Sequence, residues 1–335
     1  MQNATRLLFN KLMDRLSELN GVPSAREQFA VEPTVQQTLE TKIQESSEFL
    51  GKINIIGVDE MKGEKLGLGV SGPIASRTNT DNADRVPRSV ETLDQHTYEC
   101  KKTNYDTAIK YATLDAWAKF ADFQTRVRDV IVKRQALDRI MIGFNGISAA
   151  ANTDLVANPL LQDVNIGWLQ HIRTDAPARV LDDGAAPGVI TVGPNGDYKN
   201  LDALVYDAYQ TLLDPWYRED GGLVAIVGRP LMHDKLFPLV SDPEAPTEIL
   251  AADIVRSQRR LGSLPGLSLP YFPTNKVLIT RLDNLSIYYQ NSARRRKVED
   301  NAKRDRIENY ESSNDAFVVE DYGLCALVEN ISIQP

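Results

Sequence analysis

Gly67-Leu68-Gly69-Val70-Ser71-Gly72 is the one stretch whose spacing matches a chemical motif, G-x-G-x-x-G. In that motif the glycines let a backbone close on a pyrophosphate, and a helix N-terminus must follow directly. Here Pro73 and a polar run follow. A flexible hairpin is therefore expected, and a cytosolic nucleotide-binding α/β enzyme is the alternative. His96, His171 and His233 are scattered without ligand spacing, and Cys100 and Cys325 form no C-x-x-C. The zinc-protease, nucleophile-elbow and phosphate-loop patterns are missing. Asp182–Asp183, Glu299–Asp300 and Glu320–Asp321 are adjacent carboxylates without a supporting constellation. No catalytic, cofactor or metal site is expected. Arg294, Arg295, Arg296 and Lys297, with Lys303, Arg304 and Arg306, form a basic cluster. Phosphate contact would make it a nucleic-acid-binding module. The interspersed Glu299, Asp300 and Asp305 favour a solvated face or salt bridges across a subunit contact.

A net charge of −8 argues against a general nucleic-acid binder. With 335 residues, 42% of them hydrophobic, the chain can bury a sizeable core in two or more lobes. No run of about 18 apolar residues marks a membrane span, and no apolar N-terminal run marks a secretory signal. Two cysteines are too few for a disulfide framework and fit a reducing compartment.

The element that must organise the fold is Leu114 to Asn145. Trp117, Phe120, Phe123, Val127, Val130, Ile131, Leu137, Ile140, Met141 and Phe144 recur there at helical spacing. Asp115–Lys119, Asp122–Arg126 and Asp129–Lys133 place an acid four residues before a base. Thr113 is the candidate N-cap, Gly143 and Gly146 the stop signal, and a break is possible near Ala121–Asp122. Such a rod, roughly 40 Å long, requires a layer to cover its stripe.

Before it, residues 3–20 predict an amphipathic helix striped by Leu8, Phe9, Leu12, Leu16 and Leu19, followed by a polar linker. A second helix is expected over residues 34–50. INIIGV reads as a strand, and the stretch to Thr97 as a projecting hairpin arm ordered by another chain. A strand ends at Tyr111. After the rod, helices are expected at 160–173, 200–214, 231–240 and 247–261, with a strand at GGLVAIVGR and a connector at SLPGLSLPYFP. KVLITRL and LSIYYQ flank Asp283–Asn284 as a hairpin. KRDRIENYE, DAFVVEDYG and LCALVENISI read as three strands separated by short turns.

This order of parts resembles the Hong Kong 97 fold of tailed-phage major capsid proteins, and more specifically the P2-like (peduovirus) family. The resembling segments are VEPTVQQTLETKIQESSEFL, INIIGVDEMKGEKLGLGVSGPIAS, DFQTRVRDVIVKRQALDRIMIGFNG, NPLLQDVNIGWLQ, AADIVRSQRRLG and ENYESSNDAFVVEDY. The resemblance implies an α+β capsid fold with a long spine helix, a P-domain sheet, an α/β A-domain, an extended N-arm and an E-loop hairpin. It divides the chain into a cleavable assembly helix and linker at 1–29, the N-arm at 30–51 and the E-loop at 52–97. The P-domain follows at 98–199, with the spine at 113–145, then the A-domain at 200–265 and returning A- and P-domain strands at 266–335. It implies a structural, non-enzymatic major capsid protein, assembled in the bacterial host cytoplasm and ending in the virion capsid. Its partners would be itself, as hexamers and pentamers, a scaffolding protein with a maturation protease, the portal protein, and weakly held double-stranded DNA. No membrane and no cofactor are implied. Maturation would cut near Phe29–Ala30, and the E-loop, with Lys62, Lys65, Gly67, Gly69 and Gly72, would reach a neighbouring subunit.

Overall fold

The computed structural model describes residues 1–66, 69–70, 75–82, 84–87, 91–92, 95–120, 122–232 and 260–334. The chain opens with helix α1 (Asn3–Leu19), the short strand β1 (Phe29–Ala30) and helix α2 (Pro33–Glu45). Pro33 stands in the first turn of α2, where its missing N–H has no helical partner to lose. Strand β2 (Asn54–Val58) leads to a hairpin. Its stem is β3 (Lys62–Leu66) with β6 (Gln95–Glu99), and β4 (Gly69–Val70) pairs β5 (Glu91–Thr92). Strands β7 (Lys101–Asn104) and β8 (Thr107–Lys110) return the chain to the body.

The rod is two helices, α3 (Tyr111–Trp117) and α4 (Phe123–Asn145). Asp122 stands at the start of α4, where the break was foreseen, but its carboxylate takes Arg126 Nε at 2.8 Å instead of capping the helix. Lys110, not Thr113, precedes the first helical residue of α3. Gly143 is no stop. It lies within α4, where a Cβ would come within 2.3 Å of the Trp168 ring, and Gly146 ends the helix. Beyond lie α5 (Trp168–Asp175), β9 (Val180–Leu181), β10 (Ile190–Val192) and α6 (Leu201–Leu212). Asn200 caps α6 by accepting from Ala203 N at 2.8 Å. The expected helix at 160–173 is only α5, because the backbone before it turns to pair Ile147 with Ile166. The remaining strands are β11 (Val224–Val227), β12 (Arg260–Leu261), β13 (Leu264–Leu267), β14 (Val277–Thr280), β15 (Leu285–Gln290), β16 (Arg295–Asn301), β17 (Arg306–Val319), β18 (Ala326–Val328) and β19 (Ile331–Ile333). The helices expected at 231–240 and 247–261 fall almost wholly outside the described residues, as does His233.

Two large sheets result. One runs β1-β16-β17-β15-β2, with β7 and β8 on β17, and the other runs β12-β13-β11-β14-β18-β9. β14 and β15, expected as a hairpin, belong to different sheets. A two-residue hairpin turn needs positive φ at its centre, which neither Asp283 nor Asn284 adopts. Asn284 is instead buried in a corner, where its Oδ1 accepts from Asp321 N and its Nδ2 donates to Asp321 O, both at 2.8 Å. The proline-punctuated connector also contains structure, since β13 pairs in parallel with β11.

β17 is a single strand of 14 residues where two strands and a turn were expected. The polar residues that read as a turn, Glu311 to Asp315, are mostly buried beneath the rod. One core lies between rod and sheet, with Ile43, Val132, Ala136, Ile140, Trp168, Ile287 and Phe317. Trp168 donates to Ser286 O at 2.9 Å and meets Phe144 and Phe317 edge-on. A second core packs α6 on the other sheet.

Val130 does not join the stripe and is 54% exposed. The buried face of α4 follows Val132, Ala136 and Ile140, and a residue two positions away points about 200° around the helix. Phe120 is likewise exposed. Of the three expected acid–base pairs only Asp122–Arg126 is found among the described residues, whereas Asp115 accepts from Gln2 N and Asp129 pairs with Arg128.

Candidate assembly surfaces

Glu40 on α2, Gln135 and Arg139 on α4, Arg294 before β16, and Glu311 and Asp315 on β17 are all buried. Arg139 bonds both carboxylate oxygens of Glu40 and reaches Asp315 at 3.3 Å. Arg294 bonds Glu40, Glu311 (Nε to Oε1, 2.7 Å) and Gln135 (2.9 Å). Gln135 in turn donates to Glu311 at 3.1 Å, and Tyr105 to Asp315 at 3.1 Å. Burial alone would push the Glu311 carboxyl up. The charges of Arg294 and Arg296, with hydrogen bonds from Arg294 and Gln135, outweigh it and hold the group at about 2. Burial likewise works against the Arg139 charge, but Asp315 and Glu40 hold it well above the ordinary guanidinium value. This network clamps α2 to the rod and the sheet. Sequence reasoning missed it, although Gln135 and Arg139 interrupt the rod's apolar face four residues apart, which was a readable signal.

The basic cluster expected at 294–306 therefore does not form one surface. Arg294 is interior. Arg296 bonds Asn309 Oδ1 at 2.7 Å, Lys297 pairs with Glu299 at 2.7 Å, and Arg306 with Glu308 at 2.6 Å. Arg295, Lys303 and Arg304 are exposed. The salt bridges found for Lys297 and Arg306 are within the chain.

The hairpin arm was expected to depend on another chain, but its stem rests on its own body. Lys62 pairs with Glu99 at 2.9 Å. Lys65 is buried, donates to Val319 O, and lies 5.1 Å from the Tyr322 ring centre. His96 packs on Tyr322 and Tyr98 on Tyr288. Gly69 lies in β4, while Gly67 and Gly72 lie outside the described residues. Between stem and α5 is a cleft of about 490 Å³ holding His96, His171 and Asp175. Burial there would raise the Asp175 carboxyl, but bonds from His171 and Tyr322 bring it down to about 2.

The N-terminal segment is also seated on its own chain. Phe9 and Met13 are buried with Ala25, Phe29, Val31, Tyr111, Leu114, Val298 and Ile307. Leu8 and Leu16 pack at the margin, and Leu19 is exposed. The polar linker is anchored through Ala25, whose carbonyl accepts from Val298 N at 3.0 Å. Phe29 and Ala30 pair with Arg296 and Arg295. Among the described residues no cluster could hold a metal, and no helix is long and apolar enough to cross a membrane.

A rod clamped to one sheet, a second α/β lobe and a hairpin between the N-terminal helices and the rod define a structural subunit of the Hong Kong 97 capsid class. Known structures agree. The chain is similar to a chain in the satellite phage P4 procapsid that includes size determination (Sid) protein. That match has a TM-score of 0.82 and 49% identity, and covers 100% of this chain and 99% of that one. The capsid of an empty GTA particle shares the fold at 15% identity and a TM-score of 0.51, covering 86% of this chain and 90% of that one. The family described as phage major capsid protein, P2 family, matches residues 8–331, and the chain belongs to it. It is 51% identical to "Capsid proteins" of Escherichia phage P2, over 99% of this chain and 96% of the relative. It is 41% identical to the "Major capsid protein" of Serratia phage KSP20, over 99% of this chain and 98% of the relative. The chain is accordingly a structural protein of the virion capsid, not an enzyme, and nothing supports the nucleotide-binding alternative.

Proposed function

We propose that the chain closes an icosahedral shell around double-stranded DNA, arranged as hexamers and pentamers and assembled in the host cytoplasm. The observation that carries this is the full-length match to a procapsid subunit. Many identical weak contacts then sum to a stable shell. In this reading residues 30–51 are the N-arm, the hairpin at 52–97 is an E-loop whose tip lies over a neighbour, and the lobe at 200–265 meets its copies around each axis. A net charge of −8 suits a container that holds its DNA weakly. A scaffolding protein with its maturation protease, and a portal protein, complete the partners. Electron microscopy of the purified chain, with and without scaffold, tests this reading. Shells or six-fold and five-fold rings are expected, and a persistent monomer under both conditions overturns it.

Residues 1–29 are the segment removed on maturation, with the cut near Phe29–Ala30. Because β1 pairs with β16 and Phe29 is buried, the bond must leave the sheet before a protease can reach it. Intact-mass measurement of subunits from DNA-filled particles is expected to show the loss of that segment. Chains beginning at Met1 would exclude the cut.

A further inference from the structure

We infer that the loop after the rod, residues 147–165, is a contact knob that seats on a second copy of this chain in the shell. The loop is apolar, exposed and rigid together. Val156 is 94% exposed, Leu155 61%, Ile147 52% and Leu160 36%. Its shape is fixed by backbone bonds. Ile147 N donates to Gln162 O at 2.7 Å, Ala150 N to Asp163 O at 2.8 Å, and Leu161 N to Asn158 O at 3.0 Å. Leu161 is held at φ 58°, an unfavourable conformation for a side chain of its kind, with its side chain against the main core. A fixed loop that presents aliphatic groups to water is maintained for something other than its own stability.

Charge identifies the occupant. The stretch contains no Lys, Arg, Glu or His, in a chain that is 25% charged. Its only acids, Asp154 and Asp163, bond the loop's own backbone. Asp154 Oδ1 accepts from Val156 N at 2.9 Å, and Asp163 Oδ2 from Asp154 N at 2.8 Å. The knob thus offers no cation to DNA phosphates, and of its two acids Asp163 is buried, so Asp154 is the single exposed charge; depletion of charge is the mark of an interface core. Four side chains cover a few hundred Å² at most, well short of the roughly 800 Å² per partner of a stable pair. A contact that small holds only when it is repeated by identical neighbours, the condition a shell of copies supplies. The inference rests on the shell reading above.

The test uses a single new thiol. Both natural cysteines are buried, and burial pushes each thiol up to about 12, so neither competes for reagent. Val156→Cys, labelled with a thiol-directed photocrosslinker and irradiated, is expected to give chain–chain dimers in shells and none in dispersed subunits. Links only within one chain, links mainly to a different protein, or equal dimers in dispersed subunits overturn the inference. In parallel, Leu155→Ser with Val156→Ser is expected to leave subunit melting unchanged and to lower shell yield by about tenfold or more, because the lost contact recurs in every copy. A wild-type yield overturns it. Unmodified shells run alongside separate the two readings, since their absence removes shell formation itself.

Discussion

Arg139 and Arg294 show what a buried charge contributes when every neighbour answers it. Each is almost wholly enclosed, and together they tie α2, α4 and β17 through three carboxylates. Removing one partner leaves the others charged and without compensation in a low dielectric. Arg139→Met is therefore expected to cost about 3–5 kcal/mol, read as a lower denaturation midpoint of the dispersed subunit. Glu311 gives the network a pH dependence. Its folded carboxyl sits at about 2 against an ordinary 4.5, so its contribution is complete above about 4.5 and is lost as pH falls toward 2. A depression of that size corresponds to on the order of 3 kcal/mol. Denaturant melts at pH 6 and pH 3 are expected to differ less in Glu311→Gln than in the parent, and an unchanged difference would exclude the assignment.

At the scale of elements, the rod is a short helix and a long one, and from residue 125 onward the first buried side chain of the long one is Ile131. Helical periodicity was readable because the apolar residues recur at threes and fours. Which of two adjacent stripes turns inward was not, because both carry aliphatic side chains. Val130→Asp is expected to leave subunit melting within about 0.5 kcal/mol, as for most surface changes. Val132→Asp, at a site 5% exposed, buries a carboxylate without a partner and is expected to cost several kcal/mol. Circular dichroism melts of the two variants separate them, and equal losses would mean the face is misassigned. β17 teaches the complementary point. Its centre, Glu311-Ser312-Ser313-Asn314-Asp315, has the composition of a turn and the position of a core strand. The arginines that make this tolerable are Arg139 on α4, 176 residues from Asp315, and Arg294 just before β16.

At the scale of the molecule, the hairpin stem belongs to its own subunit, through Lys65, His96 and Tyr98. Its folding is thus separable from the role in assembly proposed for its tip. Excising residues 67–94 while keeping β3 and β6 is expected to leave a subunit that melts like the parent and forms no shells. Normal shells from that variant would refute the role of the hairpin tip.

The sequence by itself determined the class. The stripes of α1, α4 and α6, the glycine-rich hairpin and the want of any catalytic constellation are local patterns of spacing, and local patterns survive in a single line of letters. The resembling segments added the family, and the match over residues 8–331 agrees with it. Tertiary structure alone decided where polar groups and corners go. Asp283–Asn284 reads as a turn, but Asn284 is spent on the backbone of Asp321, so the strands on either side enter different sheets. Arg294 reads as one of a basic run, but Glu40, 254 residues away, draws it into the core. Burial of a charge depends on partners brought together by the fold, and composition at one position carries no record of them.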